Sequence, residues 1–293
     1  MSASTSEMTE TGPPADLMAE AEGVPVTFGG EAVPPERLGE LFAGTVAIVV
    51  PAYEEAENLV ELLPTIPDTV CGVAARVLVV DDGSPDDTTG VALAQGAVVA
   101  TFPANRGGGA ALRCGYALMI QAGARCVVTM DADGQHLPED LELLAAPVLE
   151  GRVQLTQGSR VLGHREPGVF ARELGIALFN RLVTFLTRTK ITDCSNGYRG
   201  MAPAMLPHLD LRQRQFHTSE FLIEALTRGF VVEEVPVTVV HRLHGKTKKP
   251  PTIRYGYGFS KAIFQSWRRS VRRRALAKIS SSDGKQPAGA PRG

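Results

Sequence analysis

Residues 75–102 read ARVLVVDDGSPDDTTGVALAQGAVVATF. An apolar run, Ala75–Asp81, ends in acids and turn formers. A helical stretch follows at Asp86–Gln95, then a short apolar run at Ala97–Phe102. Runs that are apolar at every residue suit strands covered on both faces. The pattern extends outward in both directions. Thr45–Pro51 (TVAIVVP) predicts a strand and Glu55–Leu63 a helix. Gly109–Ala122 predicts a helix, Cys126–Asp131 (CVVTMD) a strand, and Val153–Ser159 a further strand. Pro138 opens another helix, since proline is tolerated at a first helical position; Pro147 is expected to end or kink it after Ala146. Strands alternating with helices predict an α/β fold with a mainly parallel sheet and helices on both faces.

Beyond Ser159 the pattern changes. Phe170–Thr189 predicts a long apolar helix, and Thr218–Arg228 a helix capped by Thr218 or Ser219. Phe230–Val240 is a strand that Pro236 restricts to an edge or breaks. Tyr255–Lys278 is a basic amphipathic helix with Tyr255, Tyr257, Phe259, Ile263, Phe264 and Trp267. Residues 1–42 are rich in Ser, Thr, Glu, Pro and Ala and read as a flexible acidic leader, and 280–293 as a disordered tail. This leaves one domain at 43–250 and a basic segment at 251–279.

The chain has 293 residues, 44% of them hydrophobic, with a formal charge of −2. That composition is globular and excludes a wholly disordered binder. The net charge excludes a strongly basic nucleic-acid protein. The balance hides an asymmetry: residues 1–40 carry eight acids and one base, whereas 241–293 carry fourteen bases and one acid. A basic end of this kind suits an anionic partner. No apolar run reaches about 18 residues, so no membrane-spanning helix is expected. Cys71, Cys114, Cys126 and Cys194 lack the spacing of a zinc site, and a reducing compartment suits them.

Three predicted strands end in acids: PAYEE (51–55), DDGSPDD (81–87) and DADGQH (131–136). Ligands of open α/β sheets bind beyond the carboxyl ends of the strands, so these segments point to one cleft. Asp131 and Asp133 can grip one hard divalent cation, and Gln135 can add an oxygen. Mg²⁺ and Mn²⁺ accept few carboxylates together with phosphate oxygens, which suits a nucleotide diphosphate. Asn105–Ala110 (NRGGGA) is a glycine-rich turn before a helix. It fits neither the dinucleotide fingerprint nor the P-loop, and no G-x-S-x-G elbow is present.

Together, VVPAYEEAEN (49–58), VLVVDDGSPDDT (77–88), NRGGGAALRCG (105–115), DADGQHLPED (131–140), GSR (158–160) and DCSNGYRG (193–200) resemble family 2 glycosyltransferases of the GT-A fold. The resemblance covers about residues 45–250 and is strongest to polyprenyl- and dolichol-phosphate mannose or glucose synthases. It implies that Pro51, Tyr53 and Glu55 line a nucleoside pocket. Asp82, with Asp81, would contact base or ribose, and Asn105 and Gly107 would close the nucleotide site. Asp131, Asp133 and Gln135 would hold the metal and diphosphate. Arg160, Arg172 and Arg199 would face donor or acceptor phosphates. RLHGKTKK (242–249) is similar to the R-x-x-G-x-S-K motif of that branch, which assigns Arg242 and Lys248 to the acceptor phosphate. Three departures stand out: Glu54 where many relatives have Asn, Gly108 where Lys is common, and Thr247 in place of Ser. The first two leave the choice of nucleotide open.

The implied reaction is inverting transfer from GDP-mannose or a UDP-hexose to a lipid phosphate, with Mg²⁺ or Mn²⁺. The implied location is the inner face of the cytoplasmic membrane, through peripheral contact, with no nucleic acid. A hydroxyl acceptor would need a protein base, for which Glu220 or Asp193 is the candidate. The alternatives are a family 2 enzyme acting on a glycan or metabolite hydroxyl and a non-catalytic nucleotide-sugar binder.

Overall fold

A computed structural model describes residues 15–165, 170–245 and 252–283. In chain order, α1 (Ala15–Met18) leads to the hairpin β1 (Val26–Phe28) and β2 (Glu31–Ala32), then α2 (Pro35–Phe42). The α/β body follows: β3 (Val46–Ala52), α3 (Ala56–Leu62), β4 (Thr69–Val70), β5 (Val73–Asp81), α4 (Thr88–Ala94), β6 (Val98–Thr101), α5 (Gly108–Gln121) and β7 (Cys126–Thr129). It continues with α6 (Leu141–Leu149), β8 (Leu155–Arg165), α7 (Phe170–Thr187), β9 (Arg199–Met201), α8 (His217–Arg228), β10 (Val232–Val239) and α9 (Thr252–Asp283).

One sheet runs in the order β10-β8-β9-β7-β3-β5-β6-β1-β2, with β4 paired to β5. Its centre is parallel: β3 lies between β5 and β7, and β5 pairs with β6. Strand β9 is inserted antiparallel between β7 and β8. Val46–Val50 of β3 is fully buried. Ala47 and Val49 face the layer of α5 and α8, while Val46, Ile48 and Val50 face that of α3 and α6. Burial on both faces explains why this strand is apolar without alternation.

Four expectations change. Residues 15–42 are folded rather than a flexible leader, because Leu17, Val26, Val33, Leu38 and Phe42 supply enough apolar surface to join the core. Their acids hid that pattern. Pro147 does not end its helix, which continues to Leu149. The carbonyl this proline deprives of a partner belongs to Leu143, an exposed residue, so the unmade bond does not leave a buried polar group. Helix α8 starts at His217 without a side-chain cap; Ser219 donates its hydroxyl back to the Phe216 carbonyl. Helix α9 reaches Asp283, so 280–283 belongs to the helix rather than to a tail. Strand β10 is the edge strand that Pro236 predicted, with a register shift between Pro236 and Thr238. Among the described residues, no helix is long and apolar enough to cross a membrane.

Candidate active site

The parallel pairing brings the three acidic strand ends to one edge: Ala52 lies opposite Asp81, and Val49 opposite Thr129. The loop after β5 closes on itself. Asp81 accepts hydrogen bonds from the Ser84 amide (2.9 Å), the Ser84 hydroxyl (2.6 Å) and Thr89 (2.6 Å). The carboxylate of Asp82 takes the backbone amides of Arg106 (2.6 Å) and Gly107 (2.7 Å). It thereby fastens the glycine-rich loop to the sheet edge. Burial pushes the Asp82 carboxyl above its ordinary value, against the pull of those two amides. Gly107, at φ +94°, occupies a backbone region that glycine tolerates, and its turn starts α5. Asn105 is exposed in the same loop. Pro51 and Tyr53 are half-buried at the end of β3. The charge of Glu54 and partial desolvation raise the Tyr53 phenol.

The turn after β7 separates two carboxylates. Asp131 is exposed, and its side chain lies beside Gly197. Asp133 is buried and accepts from the Gln135 amide (3.1 Å) and from Arg242 (3.1 Å). Gln135 donates its side-chain amide to the Val240 carbonyl (3.0 Å). The ring of His136 holds this turn. Its Nδ1 accepts from the Asp131 amide (3.1 Å), which leaves the proton on Nε2 for Asn196 Oδ1 (3.0 Å). The ring stacks on Tyr198 with centroids 4.6 Å apart.

Segment 240–244 folds over the same turn. The Val240 amide donates to the Gln135 carbonyl and the Leu243 amide to the Asp133 carbonyl. Arg242 reaches Glu55 (3.2 Å) as well as Asp133, and the His244 amide donates to Asn58 (2.8 Å). The hydrogen bond that the half-buried His244 makes to the Glu61 carboxylate raises the His244 pKa.

Among the described residues, no three His, Cys, Asp or Glu side chains converge as a metal cage. Two carboxylates on one turn fit a different kind of site. Hard oxygen donors in that number suit Mg²⁺ or Mn²⁺ that keeps water and substrate oxygens, and they do not suit structural zinc.

The remaining arginines are dispersed. Arg160 is tied to the buried Asp193 through Nε (2.6 Å) and Nη2 (2.8 Å). Burial alone would raise the Asp193 carboxyl; the hydrogen bonds and charge of Arg160 outweigh it and hold it below its ordinary value. Arg199 is 2% exposed, lies over the Phe221 ring at 5.3 Å, and donates to the Asn196 carbonyl (3.0 Å). Burial lowers its pKa to about 10, and among the described residues its Nε has no hydrogen-bond partner. It lines a pocket with Asp131, Tyr116 and Gly197. Arg172 sits in α7 with its side chain outside the described residues, and Lys248 and Thr247 lie outside them entirely. Neither suggested base is placed for that role. Glu220 is fully buried and accepts from the amides of Arg212 (2.9 Å) and Gln213 (2.7 Å) and from Arg269. Asp193 is consumed by Arg160. Residues that sequence reasoning passed over are His136, Asn196 and Asn58. All three stand inside quoted motifs, but their roles depend on partners far apart in sequence: His136 and Asn196 are separated by 60 residues, Asn58 and His244 by 186.

Residues 47–209 match the family described as glycosyl transferase family 2. The chain belongs to that family. It is 33% identical over 213 residues to the polyprenol monophosphomannose synthase of Mycolicibacterium smegmatis, across 69% of this chain and 79% of that one. It is 24% identical over 218 residues to the UDP-N-acetylglucosamine–dolichyl-phosphate N-acetylglucosaminyltransferase of Methanococcus voltae, across 67% of this chain and 86% of that one. Among solved structures, glucosyl-3-phosphoglycerate synthase from Mycobacterium tuberculosis, crystallised with Mn²⁺, UDP and glucosyl-3-phosphoglycerate, shares the fold. Its TM-score is 0.60 at 21% identity, covering 81% of this chain and 84% of that chain. This family 2 member therefore has the mainly parallel α/β sheet of the GT-A enzymes.

Proposed function

We propose that this glycosyltransferase moves a sugar from a nucleotide diphosphate sugar, GDP-mannose or a UDP-hexose, to a polyprenyl phosphate or similar lipid phosphate. The observation that carries the reading is Arg242, whose guanidinium lies against both Asp133 and Glu55. A cation from the 242–249 motif thus borders the carboxylates assigned to the donor diphosphate. An acceptor phosphate gripped there stands next to the bond that must break. The names of the mycobacterial and methanococcal relatives support a lipid-phosphate acceptor.

On this reading Pro51, Tyr53, Glu55, Asp81, Asp82, Asn105 and Gly107 bound the nucleoside side. Asp131 and Asp133 hold Mg²⁺ or Mn²⁺, with Gln135 beside them. Bound there, the cation supplies neutralisation of charge on the departing diphosphate. Arg242 and Lys248, with Arg172, draw in the acceptor; Arg grips phosphate through paired hydrogen bonds. The second pKa of a phosphate monoester is about 6, so the acceptor is largely dianionic at neutral pH and needs no protein base. Its oxygen bonds to the anomeric carbon as the carbon–diphosphate bond breaks in line, and the electron pair leaves on the diphosphate. The configuration inverts. A hydroxyl acceptor has lost its two suggested bases to burial and pairing.

Peripheral contact with the anionic inner face of the cytoplasmic membrane completes the proposal. It draws on Phe185 and Leu178 of α7 and on Tyr257, Phe264, Lys261, Arg268 and Arg272 of α9, all exposed. Basic helices with apolar residues lie on such surfaces.

The test is a transfer assay with labelled nucleotide sugars, a polyprenyl phosphate and Mg²⁺ or Mn²⁺, read after organic extraction. Label enters the lipid phase and is abolished by chelator or by Asp133→Ala. Label that never enters lipid with any donor, despite metal-dependent nucleotide binding, refutes the acceptor.

A further inference from the structure

We infer that Glu20, which precedes the family match, is a positioning residue for the glycine-rich loop of the donor site. The inference rests on the donor-site reading above. Glu20 is partly buried and receives three charge-assisted hydrogen bonds. Arg113 gives two of them to Oε1, from Nε (2.9 Å) and Nη2 (2.6 Å), and Arg106 donates to Oε2. Leu17, three residues earlier, is buried in the core layer of α5 and fixes the segment there.

Both arginines act on the loop. Arg106 belongs to it: its amide is one of the two that Asp82 holds, its carbonyl accepts from Arg214, and its guanidinium lies 4.6 Å over Phe102. Arg113, one turn into α5, is 9% exposed and donates to the Gln213 carbonyl (3.1 Å). The adjoining Arg214 carbonyl takes the amide of Gly109 (2.8 Å). No side chain fits at Gly109, where a Cβ would stand 2.0 Å from the Gln213 oxygen. The loop is thus clamped between Asp82 on one side and segment 213–214 on the other, and Glu20 neutralises the two arginines that link them. Without Glu20, Arg113 is a nearly buried cation with no carboxylate partner among the described residues. Its release shifts both the α5 start and the 213–214 backbone. The acidic segment that precedes the family domain therefore shapes the part of the site that receives the nucleotide.

The test compares binding of UDP and GDP with Mn²⁺ by titration calorimetry, well below the melting temperature. Glu20→Gln weakens binding about tenfold, the loss of one charge-assisted interaction on the loop. Arg106→Gln removes only the loop's own arm of the clamp and gives a similar loss, which keeps the test open if Glu20→Gln fails to fold. Leu38→Ala in α2 destabilises the same segment without touching the loop, and it binds like the wild type. Unchanged affinity in Glu20→Gln or Arg106→Gln overturns the inference, as does an equal loss in Leu38→Ala. A wild type that binds neither nucleotide overturns the donor-site reading, and this inference with it.

Discussion

Arg160→Met separates a phosphate-binding arginine from one that the fold consumes. The Asp193 side chain is 1% exposed and that of Arg160 is 14% exposed. The substitution removes two short charge-assisted hydrogen bonds and leaves a buried carboxylate with the amides of Arg160 (3.1 Å) and Ser195 (3.3 Å) and the Ser195 hydroxyl (3.2 Å), none of them charged. Breaking a buried pair from one side costs about 3–5 kcal/mol, mostly for the stranded charge. With a urea m-value of about 3 kcal/mol/M, the unfolding midpoint falls by about 1–1.7 M. The double variant Arg160→Met/Asp193→Asn keeps an oxygen acceptor for one of those amides and removes the charge; it recovers about 2 kcal/mol. The pH dependence has a definite sign. The folded Asp193 carboxyl lies below its ordinary value. The stability it contributes is therefore complete above an unfolded pKa of about 3.9 and disappears as pH falls from there through the folded value. The gap between wild type and Arg160→Met narrows over that acid range. If Arg160→Met unfolds at the wild-type midpoint yet loses transfer activity, the pairing argument is wrong and the guanidinium serves a substrate phosphate.

Three further perturbations probe the site and one probes the surface. His136→Ala strips the Asp131 amide of its acceptor and Asn196 of its donor, so Mn²⁺-dependent nucleotide binding, followed by the Mn²⁺ resonance signal, weakens about tenfold or more. Gly197→Ala places a Cβ 3.2 Å from Asp131 Oδ1; metal-supported nucleotide affinity falls while the melting temperature stays within about 2 °C of wild type. Gly109→Ala drives a Cβ into the Gln213 carbonyl and costs about 3 kcal/mol in urea unfolding, because backbone cannot step aside as a side chain can. Arg268→Gln/Arg272→Gln weakens binding to anionic vesicles about thirtyfold at low salt, at about 1 kcal/mol per charge, and leaves binding to neutral vesicles unchanged; an equal loss on both would remove the electrostatic anchor.

The layered core was legible because strands buried on both faces must be apolar throughout. TVAIVVP and CVVTMD allow few other readings. The acidic strand ends were legible for a related reason: a parallel sheet gathers its carboxyl ends, so acids at three such ends meet whatever the loops do. Residues 15–42 were not, since Leu17, Val26, Val33 and Phe42 are spaced among acids and prolines with no single period, and their burial depends on α5 and β6. The pairing of Arg160 with Asp193, 33 residues apart, was likewise invisible. A motif records which residues occur, not which are used up by one another.

That distinction explains how one strongly basic helix divides. Buried carboxylates on α8 select two arginines of α9: Glu220 takes Arg269, and Glu224 takes Arg273 at 2.7 Å and Ser270 at 3.0 Å. Carboxylates this deep need cations, because unpaired charge in the interior is costly. Their demand fixes the rotation of α9 about its axis. Arg268 and Arg272 stand one residue before each captured arginine, about 100° around the helix, and are exposed. Arg268 lies 5.9 Å over the half-exposed Phe264. The inward pairs thus decide which charges remain outside, and they leave cations and aromatics on one outer face. The same reasoning applies at the sheet edge. Asp193 holds Arg160, while Arg199 is buried against backbone carbonyls and an aromatic ring. Arg242 is the arginine that the structure sets between Asp133 and Glu55. Its partners are acids on the cleft rather than in the core, so an incoming anion can compete for it.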